Sequence, residues 1–82
     1  MKGDSSVEVI KNYLAQQFPA TKKVSADDPL LGGGLIDSLG ILEVVTFLEK
    51  EFDLIIVDDD LSPENFGSVR SIARLVEQKK SN

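Results

Sequence analysis

An aspartate and a serine stand side by side at the start of an amphipathic stretch, in the segment Gly34-Leu35-Ile36-Asp37-Ser38-Leu39. Both residue types are strong helix N-caps. Two arrangements are open. Ser38 can itself be the cap and nothing more, which is the commoner role for such a residue. Alternatively Asp37 caps, and Ser38 falls in the first turn with its hydroxyl unused. In that second arrangement the free N–H groups and the positive end of the helix dipole favour an anion at Ser38, such as a phosphate ester. A hydroxyl held there is an acceptor for phosphoryl chemistry performed by another enzyme. Self-contained serine catalysis is disfavoured, because the chain has no histidine to take the serine proton and no spacing marks out a lysine in its place.

Other chemistries are excluded by composition. With neither cysteine nor histidine, the chain has no disulfide, no thiolate metal site and none of the usual zinc ligands. The run Asp58-Asp59-Asp60 lacks the alternating ligands, glycine and distal glutamate of an EF-hand loop, so it reads as a solvated acidic turn and no metal is expected. A net charge of −5 argues against nucleic-acid partners and anionic membranes and leaves basic protein surfaces as natural partners. No apolar run approaches the roughly 20 residues needed to span a bilayer, so no membrane insertion is expected and the cytoplasm is the expected location. The 82 residues predict a single domain, with an ordered core over about residues 5–79. No long heptad stripe is left over, and a monomer is expected.

The elements that must position Ser38 follow from periodicity. Ser5 and Glu8 fit a capping box, and Val7, Ile10, Leu14 and Phe18 then recur at helical spacing until Pro19. From Pro19 to Ile36 the periodicity disappears. This long loop holds Asp27-Asp28-Pro29 and Gly32-Gly33-Gly34, and some of Leu30, Leu31, Leu35 and Ile36 should plug the core. The three glycines do not make a phosphate loop, since no Gly-Lys-Ser/Thr follows. A second helix is predicted over 38–52, with Ile41, Val44, Val45, Leu48 and Phe52 on one face and Glu43, Thr46, Glu49 and Lys50 opposite. Leu39 and Leu42 fall on or near the outward side, where a purely structural helix would prefer polar residues. Leu54-Ile55-Ile56-Val57 reads as an extended segment packed on the core. Ser62-Pro63 opens a short helix that Gly67 stops. Ser68 caps a last helix with Val69, Ile72, Ala73 and Val76 buried, and Lys79 and Lys80 suit its C-terminal dipole.

The segment over residues 35–52, together with an acidic chain of this length and a matching last helix, resembles the phosphopantetheine-binding signature of acyl and peptidyl carrier proteins. The resemblance runs from Val7 to about Gln78. It implies an all-α fold, a small antiparallel bundle of three main helices plus one short helix, with the long loop between the first and second. It implies that Ser38, flanked by the matching Asp37 and Leu39, receives 4′-phosphopantetheine from a phosphopantetheinyl transferase through a phosphodiester. The thiol of that arm, rather than any side chain, would carry acyl or aminoacyl groups as thioesters. Ser38 then becomes an attachment point and the chain no enzyme. Leu39, Leu42, Glu43, Thr46 and Glu49 match partner-facing positions, the partners being acyl- or aminoacyl-loading and processing enzymes. Gly40, Thr46 and Lys50 depart from the pattern common in fatty-acid carriers. They thin the acidic docking face and point to a dedicated carrier in a specialised biosynthetic pathway. An aminoacyl or D-alanyl carrier, or an unmodified interaction module of the same fold, are the alternatives.

Overall fold

Apolar side chains at helical spacing must find one another, and in this chain they do so around a core drawn from every helix. The computed structural model describes the backbone of residues 2–30 and 36–81, and the side chains of these apart from residues 2–5, 20, 38 and 81. Its elements are α1 (Lys2–Gln17), α2 (Ser38–Phe52), α3 (Pro63–Phe66) and α4 (Val69–Ser81), with 3₁₀ turns at Pro19–Thr21 and Asp58–Asp60. There is no strand among the described residues. Ile10 and Leu14 of α1, Val44 and Leu48 of α2, Phe66 of α3, and Val69, Ile72 and Val76 of α4 are all fully buried. Leu75, which the predicted stripe of α4 omitted, is buried as well. Removing each such side chain from water contributes about 1.5–3 kcal/mol against the entropy of ordering the chain. α1 and α4 form the most extensive helix pair. Between them the buried Ser6 hydroxyl donates to the Glu77 carboxylate, so its polar atom is not left unpaired.

The first helix differs from expectation at its start. It already runs at Lys2, so Ser5 and Glu8 lie inside it and form no capping box. No proline stands upstream of Ser5 to stop the helix.

The α1–α2 loop is fastened to the start of α4. Leu30 N–H donates to the Gly67 carbonyl at 2.7 Å, and Arg70 N–H, one of the donors a helix start leaves free, reaches the Ala26 carbonyl at 2.9 Å. Leu30 and Ile36 are buried as core plugs, while Leu31, the Gly32-Gly33-Gly34 run and Leu35 lie outside the described residues. Ser62 caps α3 by accepting from Asn65 N–H at 3.2 Å, and Ser68 accepts from Ser71 N–H at 3.2 Å. Gly67 has φ −73°, so α3 does not end in a left-handed glycine turn. A Cβ there would lie 2.6 Å from the Pro63 carbonyl oxygen, and close backbone approach is what requires glycine.

Only alternate residues of the 54–57 segment pack on the core. Leu54 and Ile56 are half-buried against it, while Ile55 and Val57 are exposed. An extended chain turns every second side chain away, so one face alone can pack. The segment ends in a knot around Asp60. Its carboxylate accepts from Val57 N–H at 3.0 Å and pairs with Lys79 of α4, and its carbonyl accepts from the Asn65 side chain at 2.9 Å. The Lys79 ammonium first, and the Val57 N–H second, hold the Asp60 carboxyl below its ordinary value of 3.8. A carboxyl whose folded pKa is depressed adds stability above its unfolded value and loses it as pH falls through the folded one. Asp60→Asn should therefore lower the melting temperature at neutral pH, by the equivalent of about 1 kcal/mol or less. The gap to wild type should close on acidification below 3.8. Thermal melts of both proteins across that range check it, and a gap independent of pH would contradict the assignment.

Candidate functional site

The start of α2 settles which residue caps it. Asp37 is extended, with φ −96° and ψ −174°, and its carboxylate accepts from Gly40 N–H at 2.8 Å. Ser38 is thereby the first residue inside a 15-residue helix. Of the two arrangements open to local physics, the chain adopts the one in which the cap belongs to the aspartate. The turn is held from beneath. Ile36, 2% exposed, anchors the residue before the cap in the core, and its N–H faces the Leu30 carbonyl at 3.4 Å.

Gly40 is buried, against the expectation that it forms part of a thinned docking face. A helix repeats every 3.6 residues, and this register turns position 40 toward the end of α1. A Cβ at 40 would lie 2.8 Å from Ile36 Cγ2 and 3.0 Å from the Phe18 ring.

On the outward side Leu39 is 74% exposed and Leu42 54% exposed, with Glu43, Thr46 and Lys50 also exposed. The Thr46 hydroxyl donates back to the Leu42 carbonyl at 3.1 Å, within the helix. Glu49 is half-buried, and its carboxylate accepts from Ile56 N–H at 2.9 Å, which ties α2 to the segment that follows it. It thus has a structural task that its place on the helical wheel did not announce.

Two further features were not visible in the sequence. Ile55, Val57 and Leu61 add exposed apolar side chains between α2 and α3, and a run apolar at every position carries no sign of which of its side chains face outward. Tyr13 of α1 stacks on Phe47 of α2 at 3.8 Å between ring centroids, and its hydroxyl donates to the Glu43 carbonyl at 3.2 Å. Partial burial first, and the Glu43 carboxylate second, push the Tyr13 hydroxyl above its ordinary pKa and keep it a donor. Among the described residues no group of three His, Cys, Asp or Glu side chains is placed to hold a metal, and no helix is long and apolar enough to cross a membrane.

A chain with this bundle and this helix start has relatives. Aminoacyl carrier protein 2 of Bradyrhizobium diazoefficiens is 34% identical over 70 residues, covering 85% of this chain and 76% of the relative. The chain belongs to the acyl carrier protein family. Probable acyl carrier protein PigG of a Serratia species is 33% identical over 73 residues, covering 87% of the carrier and 84% of the relative. Among solved structures, the holo acyl carrier protein of Nitrosomonas europaea superposes with a TM-score of 0.78 at 31% identity, over 93% of this chain and 96% of that one. KstB-PCP in its apo form matches with a TM-score of 0.68 at 40% identity, over 85% and 80% of the two chains. No protein-family model matches the sequence. Proteins of this family are not themselves enzymes. They present substrates to biosynthetic enzymes, on a 4′-phosphopantetheine arm joined to a serine.

Proposed function

We propose that Ser38 is the serine that takes the arm, and that this carrier serves a specialised biosynthetic pathway with an acyl or aminoacyl cargo. One observation carries the reading. The Asp37 carboxylate takes the Gly40 N–H, so the helix is capped without Ser38, and Ser38 stands at the positive end of α2, where a phosphodiester is favoured. Bound there, the arm supplies the thiol that a chain without cysteine lacks. A covalent link needs no deep pocket, and an exposed helix start fits it. The partner in that step is a phosphopantetheinyl transferase with coenzyme A as donor. The serine oxygen bonds to the phosphorus next to the pantetheine, the diphosphate P–O bond breaks, adenosine 3′,5′-bisphosphate leaves, and the hydroxyl proton passes to a base on the transferase. On this reading the carrier works in the cytoplasm.

Intact-mass spectrometry tests it. The chain incubated with coenzyme A and a broad-specificity transferase should gain the mass of one phosphopantetheine. A chain that gains nothing from several active transferases would sink the idea.

The exposed Leu39 and Leu42, beside Glu43, form the surface on which processing enzymes would dock, an apolar spot edged by a carboxylate and suited to a basic partner. Leu42→Ala should therefore lower kcat/KM for loading of the holo protein by roughly five- to thirtyfold, equivalent to about 1–2 kcal/mol. Because Leu42 is exposed, the melting temperature should hardly move. An equal rate for Leu42→Ala and wild type would remove Leu42 from the interface. An aminoacyl cargo is favoured over a fatty acyl one by the likeness to Aminoacyl carrier protein 2. Mass spectrometry of the protein from its native host would read the cargo directly.

A further inference from the structure

Gly40 is an odd residue to find in the first turn of a helix, where glycine is worse than alanine by roughly 0.5–1 kcal/mol. It is also buried, while its neighbour Leu39 is 74% exposed. Its surroundings explain both facts. The space that a side chain would fill is occupied by Ile36 Cγ2, at 2.8 Å from the ideal Cβ position, and by the Phe18 ring, at 3.0 and 3.2 Å. Neither neighbour moves aside cheaply. Ile36 is β-branched and 2% exposed, and Phe18 packs on the core at the end of α1. On its backbone side Gly40 donates to Asp37 Oδ1 at 2.8 Å. One residue thus touches both positions that precede Ser38. Its missing side chain lets Ile36 close in, and its N–H holds the Asp37 cap.

We propose that Gly40 is a positioning residue for the modification of Ser38. By allowing Phe18 and Ile36 to close on the first turn of α2, it fixes the Ile36–Asp37 backbone that presents the serine to the transferase. This inference rests on the Ser38 reading and adds to it. With Ile36 and Phe18 as its neighbours in this chain, a side chain at 40 must move Ile36 or tilt the helix start, and the acceptor shifts with them. Position 40 therefore acts on the arm's attachment from below and contributes no docking charge.

The test compares four proteins as apo chains with coenzyme A and one broad-specificity transferase. They are wild type, Gly40→Ala, Phe18→Leu and Val76→Ala. Val76 is fully buried in α4 and is not among the atoms that crowd position 40, so its truncation is the control for a general loss of stability. Gly40→Ala should lower kcat/KM for arm transfer by about tenfold or more, chiefly through kcat, because misplacement of a reacting group is costly. Phe18→Leu loosens the same packing without adding an atom at 40, and should lower kcat/KM in the same direction by several-fold. Val76→Ala should lower the melting temperature and leave kcat/KM within about twofold of wild type. In Gly40→Ala the amide of residue 40 should also exchange with solvent faster than in wild type, as the bond to Asp37 weakens. Adding Ile36→Ala to Gly40→Ala should restore part of the lost rate, since it removes the colliding methyl group. Gly40→Ala modified at the wild-type rate would overturn the inference. So would Val76→Ala slowed as much as Gly40→Ala. Should Gly40→Ala fail to fold, Phe18→Leu modified at the wild-type rate would overturn it instead. A wild-type chain that never takes the arm fails at the Ser38 reading, and the inference falls with it.

Discussion

Ser38→Ala is expected to abolish the gain of phosphopantetheine mass completely while leaving the melting temperature within a degree or so of wild type. The two halves of this result have separate causes. Attachment needs an oxygen nucleophile, and alanine supplies none, so the effect on modification is all or nothing. Stability is spared because Asp37 takes the Gly40 N–H at 2.8 Å, and the helix start does not depend on position 38 for its cap. Alanine is also the best helix former. Asp37→Ala is the contrasting variant. Loss of the cap should cost about 1 kcal/mol and lower the melting temperature by roughly 4–8 °C in a chain of this size. Intact-mass spectrometry and thermal melts on the same samples read both quantities. A mass gain that survives Ser38→Ala would place the arm elsewhere. A large drop in melting temperature for Ser38→Ala would mean that the serine, rather than the aspartate, holds the helix.

Phe66→Ala is expected to remove much of the folding free energy. A chain of 82 residues is stable by roughly 4–12 kcal/mol in total. Among the described residues Phe66 is the largest fully buried side chain, and it sits in α3, a helix of four residues that cannot persist without its packing. Truncation to alanine should cost about 3–5 kcal/mol, through lost burial and the cavity left behind. Urea unfolding would show a lower midpoint with a similar slope. The damage should spread to the α1–α2 loop, because Leu30 bonds to the carbonyl of Gly67, the residue next to Phe66. A loss below about 1 kcal/mol would show that the bundle does not depend on this anchor.

Stability and function thus separate along the chain. The core is drawn from every helix, while the exposed Leu39 and Leu42 stand on the other side of α2 from the buried Val44 and Leu48, and Ser38 heads that helix. Gly40 is where the two regions meet.

What the sequence by itself determined was the set of helices and the class of chemistry. Val7, Ile10 and Leu14, then Val44 and Leu48, then Val69, Ile72 and Val76 have a spacing that buries one face each, and a spacing is a local property. The span of α2 over 38–52 and the Ser62 and Ser68 caps were legible for the same reason. The absence of histidine and cysteine disfavoured self-contained chemistry at Ser38. The start of α1 misled, because a capping box inside a helix has the same letters as one at its end. The tertiary structure decided what depends on neighbours distant in sequence. Two good caps stood at adjacent positions, and the choice of Asp37 over Ser38 was settled by the register in which Ile36 reaches the core and Gly40 meets Phe18. Glu49 read as an outward, partner-facing carboxylate, and only the folded chain shows it accepting from Ile56 N–H, seven positions on. Ser38, named from two letters and a helical pattern, owes its place at the head of α2 to a phenylalanine twenty residues before it and to a glycine two residues after it.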